Sequence, residues 1–358
     1  MHPDNRYVSY LDGLRGYAIL LVIAGHFNIL KICFARFGVT IFFFVSGFLI
    51  TKLLIYEYNK YHHIDLKNFY LRRFFRLYPA LIFMITTTCI VLFVAGFTVV
   101  LPDILSGLFY FTNYYLAYFK PNLPDSYLLV SNILWSLSVE EHFYLIFPLL
   151  FALFFPKREK FIYLLTALLI IFLTVRLTTA FRLPMKQYSV INYFTTHSRG
   201  DSILYGCVSA LLIFQYNTKW YIKLLQSKTF FYVGIFILLF ALIYRNDFFQ
   251  GTFAYSLFGI GSFLAIPSFS FANTKGVIHS LVDNKITVYI GKLSYSLYLF
   301  HWVSLKIGNL IFGMKNMQWF LLVVPLTVLL SITSYYLIER PFQVLRKKYG
   351  SNVRLAAG

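Results

Sequence analysis

Asp12, Arg15 and His26 stand inside an otherwise apolar stretch, YLDGLRGYAILLVIAGHF, from Tyr10 to Phe27. Ionisable side chains within a bilayer cost roughly 2.5 kcal/mol or more each on insertion scales, so they face a partner or a water-filled cavity. Arg15 and His26 are eleven residues apart, close to three helical turns, and a helix would set them on one face roughly 16 Å apart along its axis. A guanidinium at one end can hold an anion. An imidazole at the other titrates near neutrality and suits a general base or nucleophile. The plainer reading is an Asp–Arg pair that anchors a helix end and a histidine hydrogen-bonded between neighbours.

A second group is basic: Arg72, Arg73 and Arg76 in FYLRRFFRLYP. Their i,i+4 and i,i+3 spacings bring them together on a helix, and Pro79 suits the first turn of the next one. Three guanidiniums interleaved with Phe74, Phe75 and Tyr78 suit a ligand that carries phosphates and a stackable ring. The bias of membrane proteins toward cytoplasmic arginine would also put them there. Glu140, in LWSLSVEEHFYLIFP, is the carboxylate expected to orient or support the His26 imidazole, with Tyr144 one turn on; a watery vestibule is its alternative. Arg199 and Asp201, in SRGDSILYG, could hydrogen-bond a polyol or cap a helix. His142 and His301 read as packing histidines and Lys306 as a snorkelling or paired lysine. Gly38, Ser46 and Gly47 allow close helix packing or a thin ligand. Cys33, Cys89 and Cys207 have no metal-like spacing and form no disulfide framework, so no metal is expected.

The elements that must position these residues are helices in a membrane. The 358 residues are 59% hydrophobic and only 13% charged, more apolar surface than a soluble domain can conceal. About ten spans are expected, near 11–30, 37–56, 79–101, 133–155, 160–180, 199–216, 229–245, 252–271, 291–312 and 319–339. A shorter stretch at 104–118 reads as interfacial or re-entrant. The sequence therefore predicts an all-α, polytopic integral membrane protein, without a signal peptide or a visible internal repeat. A net charge of +19 suggests nucleic acid only until it is located. With both termini in the cytoplasm, about twenty of the 32 Lys and Arg residues fall on that side, so nucleic acid is excluded as a partner. The same orientation puts His26, Glu140 and the Arg199/Asp201 pair toward the outer leaflet, and the arginine cluster at the inner one.

Seven segments, taken in order, resemble the membrane acyltransferase 3 family, which includes bacterial polysaccharide O-acetyltransferases. They are YLDGLRGYAILLVIAGH, GVTIFFFVSGFLI, FYLRRFFRLYPA, LWSLSVEEHFYLIFP, RGDSILYG, GKLSYSLYLFHW and SYYLIERPF. The resemblance implies a ten-helix domain over 1–345 with a short basic cytoplasmic tail at 346–358; many members of the family carry a soluble esterase-like domain after the last helix, and none is expected here. It implies transfer of an acyl group, usually acetyl, from cytoplasmic acyl-CoA to a sugar hydroxyl outside, in a bacterial cytoplasmic membrane. Acetyl-CoA, a carbohydrate acceptor and membrane lipid are then the partners. Carried over by position, His26, Glu140 and Arg15 are the catalytic set. Arg72, Arg73 and Arg76 bind acyl-CoA, and Arg199 and Asp201, with Tyr144, meet the acceptor. Departures are small: His142 stands where Gln or Trp is frequent. A transporter or flippase for a lipid-linked sugar is the alternative, since intramembrane Arg, His and Glu also mark translocation pathways.

Overall fold

Long apolar runs offer the backbone no water in a bilayer, and the helix is the local structure that satisfies its own N–H and C=O groups. The computed structural model describes residues 9–120, 129–271, 277–313, 315–346 and 349, and among them the chain is helical with no strand. Of the expected 346–358 tail, only Arg346 and Tyr349 lie within the described residues.

The first helices are α1 (Ser9–His26), α2 (Ile32–Tyr61), α3 (Leu66–Val94) and α4 (Leu101–Leu108). Then come α5 (Trp135–Phe154), α6 (Arg158–Arg182), α7 (Met185–Phe194), α8 (Thr196–Ala210) and α9 (Lys219–Gln226). The last are α10 (Lys228–Ile243), α11 (Phe253–Phe271), α12 (Lys285–Lys292), α13 (Ser294–Phe312), α14 (Met317–Thr333) and α15 (Arg340–Arg346). Each of the ten stretches expected to span contains a helix. Five helical segments are long and apolar enough to cross a membrane, or six when α9 and α10, bent by 80° at Ser227, count as one span. The shortfall has a physical origin. Helices α1, α8 and α13 are short or diluted by Asp12, Arg15, Arg199, Asp201, His301 and Lys306, and they can be so because much of each is packed against protein.

Burial separates an inner from an outer layer. In α2, 78% of the apolar window is buried, against 17% in α6, so α2 is a central post and α6 is peripheral. Helices α1 and α8 both pack on α2. Glycines set these approaches. A Cβ on Gly38 would lie 2.5 Å from the Ala18 carbonyl oxygen of α1, and one on Gly47 would lie 2.0 Å from the Ile203 carbonyl oxygen of α8. Within the 104–118 stretch lies a short helical turn, Thr112–Tyr114, whose buried Asn113 donates to Thr196 Oγ1 at 2.8 Å. Asp65 caps α3 by accepting from the Asn68 backbone N–H at 3.0 Å, which holds its carboxyl below the usual carboxylate range.

Overpacking a filled contact costs typically 1–3 kcal/mol, and more where the obstacle is backbone. Gly47→Val is therefore expected to leave little monodisperse protein after detergent extraction. Gly96→Asn, at a position of positive φ with open space around it, is expected to behave as wild type. Size-exclusion chromatography of the two variants checks this.

Candidate active site

Four helices bring charge to one cavity of about 290 Å³: α1 supplies Asp12 and Arg15, α2 Lys52 with the hydroxyl of Ser46, α3 Arg73 and Arg76, and α5 Glu140 with the phenol of Tyr144. Arg15 reaches Asp12 at 3.3 Å. Arg73 reaches Glu141 Oε1 at 2.8 Å and lies 3.3 Å from the centroid of the Tyr144 ring, while its buried Nε has no hydrogen-bond partner among the described residues. Tyr144 is held in turn by a short hydrogen bond with Ser46. Among the described residues, Arg76 makes no ion pair; Arg15, Arg73 and Arg346 lie within electrostatic reach of it, and so do the carboxyls of Glu140 and Glu339. Like charges gathered in a medium of low dielectric repel strongly, and an anion entering the cavity relieves that repulsion. A second cavity of about 570 Å³ shares Arg73 and Tyr144 and adds Lys67, Phe74 and Tyr78.

Arg72 turns away from this cavity. Its Nη2 lies 3.6 Å from Glu57 and its Nη1 donates to the Tyr349 carbonyl at 3.1 Å. The Tyr349 ring stacks on Phe75 at 5.3 Å, so Tyr349 covers one edge of the arginine cluster. The expected trio thus divides: Arg73 and Arg76 line the cavity with Arg15, and Arg72 stands at its rim.

His26 is the last residue of α1, and its partner is a histidine. Its Nδ1 lies 2.9 Å from His301 Nε2, the two rings are parallel within 3°, and Trp302 packs edge-on at 5.8 Å. Lys315 Nζ donates to the His26 backbone carbonyl at 2.6 Å. Glu140, the carboxylate expected beside this imidazole, is elsewhere. Ser136 and Tyr298 share a hydrogen bond of 2.7 Å that pins α5 to α13. From that bond, Glu140 lies four residues along α5 toward Ser294 and Tyr295, whose side chains line the cavity with it. His301 lies three residues along α13 in the opposite direction. At 1.5 Å per residue the two are about 10 Å apart along the helix axes. Glu140 therefore faces the arginines. Depth counted from the start of an apolar run misplaced it, because α5 begins at Trp135 and carries Glu140 well past the level at which α1 ends.

Among the described residues Arg199 and Asp201 form no ion pair with each other. Asp201 lies inside α8, which rules out a capping role, and its carboxylate accepts from Arg176 Nη2 at 2.6 Å and from Ser256 at 3.1 Å. Arg199 lies 4.0 Å from the centroid of the Tyr255 ring and near Phe43 and Trp135. It is fully buried, and among the described residues its Nε and Nη1 have no hydrogen-bond partner. Tyr144, expected near these residues, belongs to the arginine cavity.

Three participants escaped the sequence reading. Arg176, a charged residue in the middle of an apolar run, carried the signal that intramembrane charge always carries. His301 carried the same signal but was read as packing. Glu339, buried and hydrogen-bonded to Ser296, could not be distinguished from a helix-end residue.

A family model described as an acyltransferase domain matches residues 8–336. A provisionally named O-acetyltransferase of Staphylococcus aureus (strain COL) is 32% identical over 366 residues, covering 94% of this chain and 58% of its own length. The O-acetyltransferase OatA of Staphylococcus aureus (strain NCTC 8325 / PS 47) is 31% identical over 368 residues, covering 96% of this chain and 58% of its own. The chain thus spans 58% of the length of these curated relatives. No solved structure matches it.

Proposed function

The chain belongs to this acyltransferase family, and we propose that it moves an acyl group, acetyl in the first instance, from coenzyme A to a carbohydrate hydroxyl across a bacterial cytoplasmic membrane. The observation that carries this reading is the cavity where Arg15, Arg73 and Arg76 converge, with no ion pair for Arg76 among the described residues. Guanidiniums suit phosphates because their donors match phosphate oxygens in pairs. Arg73 and Arg76, with Arg72 at the rim, hold the coenzyme's phosphates on the cytoplasmic side, the side of both termini. The neighbouring aromatic-walled cavity offers Phe74 and Tyr78 for ring stacking. The pantetheine arm passes Arg15 toward His26.

At His26 the imidazole deprotonates the acceptor hydroxyl, or carries the acyl group briefly itself. Glu140, which lines the cavity with Arg15, Arg73 and Arg76, moderates their mutual repulsion, and Glu141 holds Arg73. Arg199 supplies its two unpaired N–H donors to the acceptor, and Asp201, through Arg176, fixes the helix that carries Arg199. Tyr144 keeps Arg73 in place.

Purified protein in liposomes, given radiolabelled acetyl-CoA on one side and a saccharide on the other, tests the proposal. Label in the saccharide is expected. Saccharide accumulating inside the vesicles without acylation would instead mark a transporter. In the same preparation Arg76→Gln is expected to weaken acetyl-CoA binding about tenfold or more, since a charge-assisted hydrogen bond is worth about 1.5–3 kcal/mol. Isothermal titration gives that number directly, and unchanged affinity would remove Arg76 from the donor site.

A further inference from the structure

We propose that His301 is a positioning residue that fixes the tautomer of His26, through a two-ring relay anchored on a backbone carbonyl. The argument begins at the end where the chemistry allows one choice. The Leu297 carbonyl can only accept, and His301 Nδ1 lies 2.9 Å from it, so His301 carries its proton on Nδ1. His301 is fully buried, and among the described residues no carboxylate forms an ion pair with either ring. A second proton would make an uncompensated buried cation, so the ring is neutral and its Nε2 holds a lone pair.

That lone pair lies 2.9 Å from His26 Nδ1. Two lone pairs cannot face each other at this distance, so His26 carries its proton on Nδ1 and donates it to His301. His26 Nε2 is then unprotonated. The near-parallel rings and the edge-on Trp302 hold that orientation. The usual orienter of a catalytic imidazole is a carboxylate, which also stabilises the imidazolium. Here a neutral ring does the orienting, and the tautomer is set by a main-chain oxygen that substitution cannot remove.

The consequence for transfer rests on the function proposed above. As the acceptor oxygen attacks the thioester carbonyl, its proton moves to His26 Nε2 and the new C–O bond forms. When the C–S bond breaks, the same proton passes from Nε2 to the departing coenzyme thiolate. Throughout, Nδ1–H stays on His26 and His301 Nε2 stays its acceptor. An acyl-imidazole route would use the same Nε2 lone pair, so the relay serves both.

Nitrogen-15 spectra of histidine-labelled protein in membranes read the tautomer without any substrate. His26 protonated on Nδ1 in the wild type is expected, and His26 protonated on Nε2 would overturn the proposal even if transfer proceeds. His301→Leu removes the acceptor, and His301→Gln restores one, since its amide oxygen can take the His26 Nδ1–H. His301→Leu is expected to lower kcat about 100-fold with KM for acetyl-CoA within about twofold, and His301→Gln to recover at least about tenfold of that loss. Equal losses in both variants with an unchanged His26 tautomer would make His301 a packing residue. Failure of the transfer reading is separately visible, as wild-type turnover in a variant that lacks His26.

Discussion

His26→Ala is expected to reduce acyl transfer by about 10³-fold or more while the protein still inserts, folds and binds acetyl-CoA. Positioned acid–base catalysis is typically worth about 10²–10⁴-fold, and loss of a covalent route would add to it. The structural price is small by comparison. His26 ends α1, so an alanine there interrupts no helix, and the lost bond to His301 is worth on the order of 1 kcal/mol. Donor binding should survive because Arg15 lies roughly 16 Å back along the same helix. Measuring acetyl transfer and acetyl-CoA affinity on one preparation separates the two effects. Wild-type turnover would sink the mechanism. Loss of affinity in parallel with turnover would show that His26 supports the fold of the donor site instead.

This contrast shows what the sequence could and could not convey. Chemistry was legible where an expensive residue type stood in an apolar run: Arg15, His26, Arg73 and Arg76 all line or adjoin the interior features described. Helical segments were legible for the same reason, since an apolar run has one economical backbone. Pairing was not. Glu140 and His26 share an approximate depth on paper, yet the Ser136–Tyr298 bond between α5 and α13 shows them about a turn and a half or more apart. Partners that come from distant helices leave no local trace. His301 is 275 residues from His26, and Arg176 is 25 from Asp201, so neither pairing has a spacing to read. Span counting fails similarly. A window of hydropathy asks whether lipid would accept a helix, whereas α1, α8 and α13 need only be accepted by their neighbours.

Arg176→Met is expected to destabilise the protein by about 3–5 kcal/mol, a large share of a typical total stability of about 5–15 kcal/mol. Both partners of the Arg176–Asp201 pair are fully buried, and the guanidinium donates to Thr252 and Ser198 carbonyls, to Ser256 and to Asp201. Removing the arginine leaves Asp201 as a buried charge whose remaining hydrogen bonds, among the described residues, come from the Ser256 and Ser202 hydroxyls. Removing Asp201 alone strands the cation in the same way. Removing both is a different case, because desolvation of the two charges had offset much of their attraction. Arg176→Met with Asp201→Leu should therefore be more stable than either single variant, by denaturant unfolding in detergent. The pair also decides where Arg199 points, two residues before Asp201 on α8. Asp201→Asn keeps an acceptor for Arg176 and should fold. If the pair aims Arg199 at the acceptor, this variant should raise KM for the saccharide more than KM for acetyl-CoA. Equal changes in both would mean that the Arg176–Asp201 pair holds the bundle together and does no more.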